Sequence, residues 1–169
     1  LELSREKIKY FDLDCTKNIK NANFAMIADL KDGLSILDFA EYLDKIFKYK
    51  LPLLCANPDY LVHNNNTLSM CGGTVAELYF DLGGTVFRYG KPYEPIYVDI
   101  IKRMSIKNKK KVLVIGDSLW HDIAGGRKMK FDTLWIENGV HKPQLTKKDD
   151  INQLLNEFTP KYSMSELKL

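Results

Sequence analysis

Three charged residues in the second half of the chain have the types and spacing for phosphoryl chemistry. They are Lys91, in Gly90-Lys91-Pro92, and the two aspartates of Gly116-Asp117-Ser118-Leu119-Trp120-His121-Asp122. Hard carboxylate oxygens at such a spot suit Mg²⁺, which takes one or two protein carboxylates, keeps several waters and leaves room for a substrate phosphate. A lysine ammonium beside them can pair with a phosphate and with the same carboxylates. Taken alone, each motif has a plainer reading. Asp117 could be a turn residue, Asp122 a helix N-terminal carboxylate favoured by the macrodipole, and Lys91 a solvated surface charge.

The elements around these residues give them a common address. Lys111-Val112-Leu113-Val114-Ile115 is a continuous apolar run, the composition of a parallel strand buried on both faces. Such a strand delivers Asp117 to its carboxyl end, where open α/β sheets place their ligands. Gly116 permits a tight backbone path, and Asp122 opens a helix expected from Ile123 to Met129. Upstream, Gly84 to Tyr89 reads as a strand, and Pro92 suits the first turn of a helix running to about Arg103. Lys91 therefore also stands at a strand-to-helix junction. A right-handed β-α-β unit would bring both junctions to one edge of a sheet.

Five segments in this order and at these separations carry a resemblance: Leu53-Leu54-Cys55-Ala56-Asn57-Pro58-Asp59, Cys71-Gly72-Gly73, Gly90-Lys91-Pro92, Gly116-Asp117-Ser118 with Asp122, and Asp132-Thr133-Leu134. Together they resemble the haloacid dehalogenase superfamily of phosphatases, in its NagD-like subfamily with an α/β cap. The resemblance implies an α/β fold. Residues 1–89 would be most of an α/β cap domain, incomplete at its N-terminus, and residues 90–169 the C-terminal part of a Rossmann-like core. It implies Mg²⁺-dependent hydrolysis of a small phosphorylated metabolite, a sugar or nucleotide phosphate, through an aspartyl-phosphate intermediate. Lys91 would stabilise the nucleophile and the phosphoryl charge, Asp117 would ligate the metal directly, and Asp122 would support the metal's shell. The Asn57-Pro58-Asp59 turn would close a cap strand near the substrate. The stretch from Tyr60 to Ser69 would be a specificity loop, with His63 placed to touch substrate.

The family's attacking aspartate, with its general-acid aspartate two residues on, belongs near the N-terminus after a hydrophobic strand. Here Phe11-Asp12-Leu13-Asp14-Cys15-Thr16 spells D-x-D-x-T, which would make Asp12 the attacker and Asp14 the acid. The residues before it are too charged for a buried central strand, and Cys15 stands where the turn wants glycine. A cap strand and turn explains the stretch better. The chain is expected to be the last two-thirds of a longer protein, lacking the nucleophile segment and inactive alone. Without the nucleophile's strand, Val112 to Ile115 would present an unpaired apolar edge, so a homodimer or a complementing N-terminal fragment is expected as partner. The alternative is a non-catalytic, degenerate member of the family that acts through association.

The rest of the sequence reads as a cap followed by core. Phe24 to Ala28 reads as a strand and Asp32-Gly33 as a turn. Ser35 with Asp38 makes a capping-box-like start to an amphipathic helix through Phe47. Leu51 to Ala56 is the next strand, and Thr74 with Glu77 opens a helix closed by Gly83-Gly84. Asp132 to Ile136 and Asp149 to Phe158 read as a strand and a terminal helix. No apolar run approaches the roughly 18 residues that span a bilayer, so no membrane association is expected. Three cysteines without framework spacing suggest reduced thiols and a cytoplasmic location. A net charge of +3 is too small to argue for nucleic acid, and Lys107 to Lys111 reads as a solvated loop. His121 and His141 are assigned surface or capping roles, with no His/Cys cluster at zinc spacing.

Overall fold

In the computed structural model, which describes residues 13–28, 30, 33–64, 67–146 and 148–167, helices alternate with strands and both three-stranded sheets are parallel throughout. This is the α/β class read from the sequence. By its internal contacts the chain divides into two units, Leu1–Tyr89 and Gly90–Leu169.

The first unit is built on strands β1 (Ala25–Ile27), β2 (Leu53–Cys55) and β5 (Val86–Arg88), in the order β1-β2-β5. Helix α1 (Ala40–Lys48) follows a short 3₁₀ turn, Ile36–Phe39. That turn is opened by the Ser35 and Asp38 pair: the Ser35 N–H and hydroxyl donate to Asp38 Oδ2 at 2.7 and 2.9 Å. Helix α2 (Gly72–Asp81) starts three residues earlier than the Thr74 and Glu77 capping signal predicts, with Cys71 rather than Thr74 as its N-cap. Both signal residues are used elsewhere. The Thr74 hydroxyl donates to the Tyr60 carbonyl at 2.8 Å, and Glu77 accepts from Arg88 at 2.8 Å. At its far end α2 closes as expected, with Gly83 at φ +89° and the amides of Gly83 and Gly84 donating back to Phe80 and Tyr79. Phe39, Leu43, Leu53, Cys55, Val75, Ala76 and Tyr79 form the core of this unit.

Two expectations are corrected in this unit. The Tyr60–Ser69 stretch is a β-hairpin rather than a loop, with β3 (Leu61–Asn64) antiparallel to β4 (Thr67–Met70). The strand before Lys91 does not join the strand before Asp117 in one β-α-β unit. β5 pairs with β2, in register Leu53↔Val86, and belongs to the first sheet.

The second unit is built on β6 (Leu113–Gly116), β7 (Asp132–Ile136) and β8 (Tyr162–Met164), in the order β6-β7-β8. Its helices are α3 (Glu94–Arg103), α4 (Ala124–Lys128), α5 (Lys142–Leu145) and α6 (Lys148–Glu157). Register places Leu113, Ile115, Leu134, Ile136, Tyr162 and Met164 on one face of the sheet, and Val114, Thr133 and Trp135 on the other. The second face is covered. Tyr97 and Ile101 of α3 pack with Val112 and Val114, and Ile151, Leu154 and Leu155 of α6 pack in the cluster that includes Trp135. Gly126 lets α4 approach, since a β-carbon there would press on Val114 and Thr133. The first face is open, with Leu113 46% and Ile115 45% exposed. The strand expected to be buried on both faces is therefore covered on one, where Val114 is partly buried. Among the described residues β6 has a single neighbour, and nothing supplies the second layer that a parallel sheet requires.

Candidate active site

The carboxyl end of β6 runs into Gly116 and then Asp117, as the apolar run predicts. The segment that follows does not form an ordinary helix start. Leu119–Ile123 is a π-helical turn capped by Ser118, whose carbonyl accepts from both the Asp122 N–H at 2.9 Å and the Ile123 N–H at 3.1 Å. Asp122 thus lies inside a widened turn before α4 rather than at a helix N-terminus, which corrects the sequence reading. The turn folds the Asp122 side chain back over Gly116, where a β-carbon would collide with its carboxyl group. The Ser118 N–H donates to Asp122 Oδ2 at 3.1 Å.

Lys91 completes this contact. Its Nζ donates to Asp122 Oδ1 at 2.8 Å, pairing a half-exposed ammonium with a buried carboxylate. Residues 90–93 form a turn in which the Tyr93 N–H donates to the Gly90 carbonyl at 2.8 Å. Gly90 adopts φ +132°, and the Lys91-Pro92 peptide is cis. The helix starts beyond this turn, at Glu94, with Pro95 rather than Pro92 as its first-turn proline. Lys91 nonetheless stands just before α3.

Asp117 is held by β7 and the loop that follows it. The loop after β7 brings the Val140 N–H to Asp117 Oδ2 at 2.9 Å, and the Trp135 indole N–H donates to the Asp117 carbonyl at 3.0 Å. Asp117 Oδ1 has no protein partner among the described residues. The two aspartates are therefore not equivalent: Asp122 has both oxygens engaged, and Asp117 has one to offer.

The two histidines are buried rather than superficial. The Leu119 N–H donates to His141 Nε2 at 2.9 Å, so the capping role expected of His141 is met from inside the fold. Nε2 can accept only while the ring is neutral. Burial pushes the His141 pKa down to about 4, the Asp117 carboxylate offsetting part of that and His121 adding to it. His121 Nδ1 lies 2.9 Å from Ser118 Oγ, and the His121 N–H donates to the same oxygen at 3.3 Å.

The other candidates lie in the first unit. Asn57 Oδ1 accepts from the Asp59 N–H at 3.3 Å, which closes the turn after β2. The backbone of His63 pairs with Leu68 in the hairpin, and its side chain lies outside the described residues. Asp14 is exposed in an irregular stretch, and Asp12 lies outside the described residues. Sequence reasoning missed Ser118, Trp135 and the Gly139-Val140 turn as parts of the site. One signal was available. Gly139 follows β7 as Gly116 ends β6, and adjacent parallel strands deliver their carboxyl ends to the same sheet edge.

The arrangement defines the class before any comparison. It is a parallel α/β unit with two acidic side chains and a lysine gathered at the strand ends, one carboxylate oxygen left open. The family model for HAD-hydrolase-like proteins matches residues 88–167. A haloacid dehalogenase-like hydrolase from Brucella suis 1330 is 29% identical, with a TM-score of 0.81 over 98% of this chain and 63% of its own. Two further structures share the fold. A p-nitrophenyl phosphatase from Archaeoglobus fulgidus has a TM-score of 0.60 and 19% identity, over 87% of this chain and 55% of its own. A possible sugar phosphatase from Cytophaga hutchinsonii has a TM-score of 0.60 and 21% identity, over 86% of this chain and 53% of its own. Residues 88–167 thus match the haloacid dehalogenase-like family, and the fold resembles that of the Brucella suis member along nearly the whole chain. The chain spans less than two thirds of the length of these solved relatives. No curated protein matches it by sequence. Among the described residues, no helix is long and apolar enough to cross a membrane.

Proposed function

We infer that Lys91, Asp117 and Asp122 are the cation- and phosphate-binding half of a Mg²⁺-dependent phosphomonoesterase site that acts on small phosphorylated metabolites. The observation that carries this reading is the division of labour at the end of β6. Asp117 keeps Oδ1 open, while Asp122 is engaged by Lys91 at 2.8 Å and by the Ser118 amide at 3.1 Å. The donor set fits Mg²⁺. Its oxygens are hard, one carboxylate is available, and the described residues hold no group of three or more His, Cys, Asp or Glu side chains that would enclose a metal without water. Bound there, Mg²⁺ would supply positive charge against the phosphoryl oxygens.

The chain's own residues do the rest. Asp117 offers an oxygen already aimed by Val140. Asp122 holds the Lys91 ammonium, and that ammonium neutralises charge on the bound phosphate. With these carboxylates committed, the attacking carboxylate of an aspartyl-phosphate route has to come from another part of the protein. The Leu1–Tyr89 unit serves as the cap, with Asn57, Asp59 and His63 as its substrate-facing residues.

The open face of the second sheet supports a source for the missing group. Among the described residues β6 has an unpaired edge, and right-handed crossovers between parallel strands fix the side on which helices lie. The helices of the β6-β7-β8 run cover the Val114 and Trp135 face. Parallel strands running outward from the free edge of β6 would carry their helices on the opposite, open face. A β-α segment beyond these 169 residues would thus pair with β6, cover Leu113 and Ile115, and end a strand beside Asp117.

Hydrolysis of p-nitrophenyl phosphate tests the reading. The 169-residue chain with Mg²⁺ should give no turnover. Adding the part of the Brucella suis hydrolase that lies outside the matched region should give Mg²⁺-dependent turnover, abolished by Asp117→Asn. Turnover by the chain alone that is lost in Asp12→Asn or Asp14→Asn would put the attacking group in the D-x-D-x-T stretch and overturn the proposal. A stable dimer that buries the open face and refuses the added segment would favour the non-catalytic alternative.

A further inference from the structure

Gly139 is a glycine for a reason its backbone does not supply. Its φ lies outside the left-handed region, where only Gly33, Gly83 and Gly90 are found among the described glycines, so an L-residue could adopt its conformation. What excludes a side chain is Asp117, because a β-carbon on Gly139 would lie inside the van der Waals envelope of the Asp117 Cβ, Cγ and Oδ2 atoms. The next residue supplies the one hydrogen bond to that carboxylate among the described residues, the Val140 N–H to Oδ2 at 2.9 Å. The residue after that grips the same segment again, His141 Nε2 accepting from the Leu119 N–H at 2.9 Å. Three consecutive residues of one loop therefore clasp residues 117 to 119.

The loop is itself anchored. The Glu137 and Asn138 amides donate to the Met164 and Ser165 carbonyls, both at 3.0 Å, and the Lys142 N–H donates to the Gly139 carbonyl at 3.0 Å. The Asp117 carbonyl is pinned independently by Trp135 at 3.0 Å. With the backbone fixed on one side and Oδ2 on the other, the carboxylate has one orientation, and that orientation points Oδ1 away from the loop.

We propose that Gly139 and the Val140 amide are the positioning element of the cation site, turning Asp117 so that Oδ1 rather than Oδ2 is offered to a divalent cation. This rests on the metal-binding reading above and adds to it a residue that touches neither metal nor substrate. Bulk at position 139 would swing the carboxylate off the Val140 amide, and the cation would meet a misdirected ligand in a fold otherwise intact.

Isothermal titration of Mg²⁺ into the 169-residue chain tests this without any turnover. Gly139→Ala should weaken Mg²⁺ binding about tenfold, the scale of effect expected when a ligand's orienting partner is lost, while keeping the parent far-UV circular dichroism. Val140→Ala, which retains the amide, should bind Mg²⁺ like the parent. Equal affinity in Gly139→Ala and parent overturns the proposal. Amide exchange of the unmodified chain decides the clasp even if Gly139→Ala fails to fold. The Val140 amide should be protected and should lose protection in Asp117→Ala, whereas exchange at the rate of an open loop overturns the clasp. Absence of Mg²⁺ binding by a parent chain whose Val140 amide is protected would sink the cation reading and leave the clasp standing.

Discussion

Strands β2 and β6 are near twins in composition and opposites in circumstance. Both are short aliphatic runs in parallel sheets, and both end where a turn carries polar residues of interest. β2 lies between two parallel neighbours with helices α1 and α2 packed on it, and its Leu53 and Cys55 are 3% and 0% exposed. Among the described residues β6 has one neighbour and one covered face, and Leu113 and Ile115 stay half in water. Burial is a property of what surrounds a strand, and an apolar run records only the surroundings it suits. β6 has the sequence of a central strand and, within these residues, the position of an edge.

The largest effect expected from this contrast is in stability. Leu53→Ala should cost about 3 kcal/mol in urea unfolding of the 169-residue chain, the usual range for removing a buried leucine from a packed core. Ile115→Ala, losing the same number of atoms, should cost about 1 kcal/mol or less, because half of that surface is already solvated. Equal losses at the two sites would mean that β6 is covered in solution and would break the comparison.

Next in size is an effect at the end of β6, which is locked although its flank is bare. His141 titrates near 4 when folded, against 6.5 for an ordinary histidine. Between those pH values only the unfolded chain takes up the proton. Stability should be indifferent to this residue above about pH 6.5 and should fall by about 3 kcal/mol as the pH drops to 4. His141→Gln keeps an acceptor for the Leu119 amide without the titration, so its stability profile should be flatter across the same window. An unchanged slope in the variant would assign the acid sensitivity elsewhere. The smallest effect is colloidal. Ile115→Lys places a charge on an exposed edge, and should lower dye binding by the open face and self-association in light scattering while leaving urea stability within about 0.5 kcal/mol.

The β6 example also marks where the sequence was readable. The run before Gly116 pointed to the candidate site, since apolar composition identifies a strand and its carboxyl end is where α/β sheets place their ligands. The same run misled about burial, because coverage belongs to partners and leaves no local trace. Lys91 and Asp122 were legible as candidates, and they meet at 2.8 Å. The clasp on Asp117 was not legible, since it is made by the backbone amide of Val140, which any residue but proline would supply. β8 escaped for a related reason. Tyr162-Ser163-Met164 is short and exposed, and only its pairing with β7 makes it a strand. The hairpin around His63 read as a loop because its polar residues dilute the alternation that marks a strand.

The π-helical turn at Leu119–Ile123 has a consequence for how such a chain can change over generations. The extra residue it accommodates shifts the phase of everything downstream by about 100° relative to a regular α-helix. Deleting any single residue between Ser118 and Ala124 would restore ordinary helical winding and carry Asp122 round to a different side, away from Lys91 and from the bare Cα of Gly116. A substitution here can be conservative, but a one-residue gap cannot. When lineages of this fold are aligned, an indel in this short window should accompany the loss of the lysine pair, and sequences that keep the lysine should keep the count.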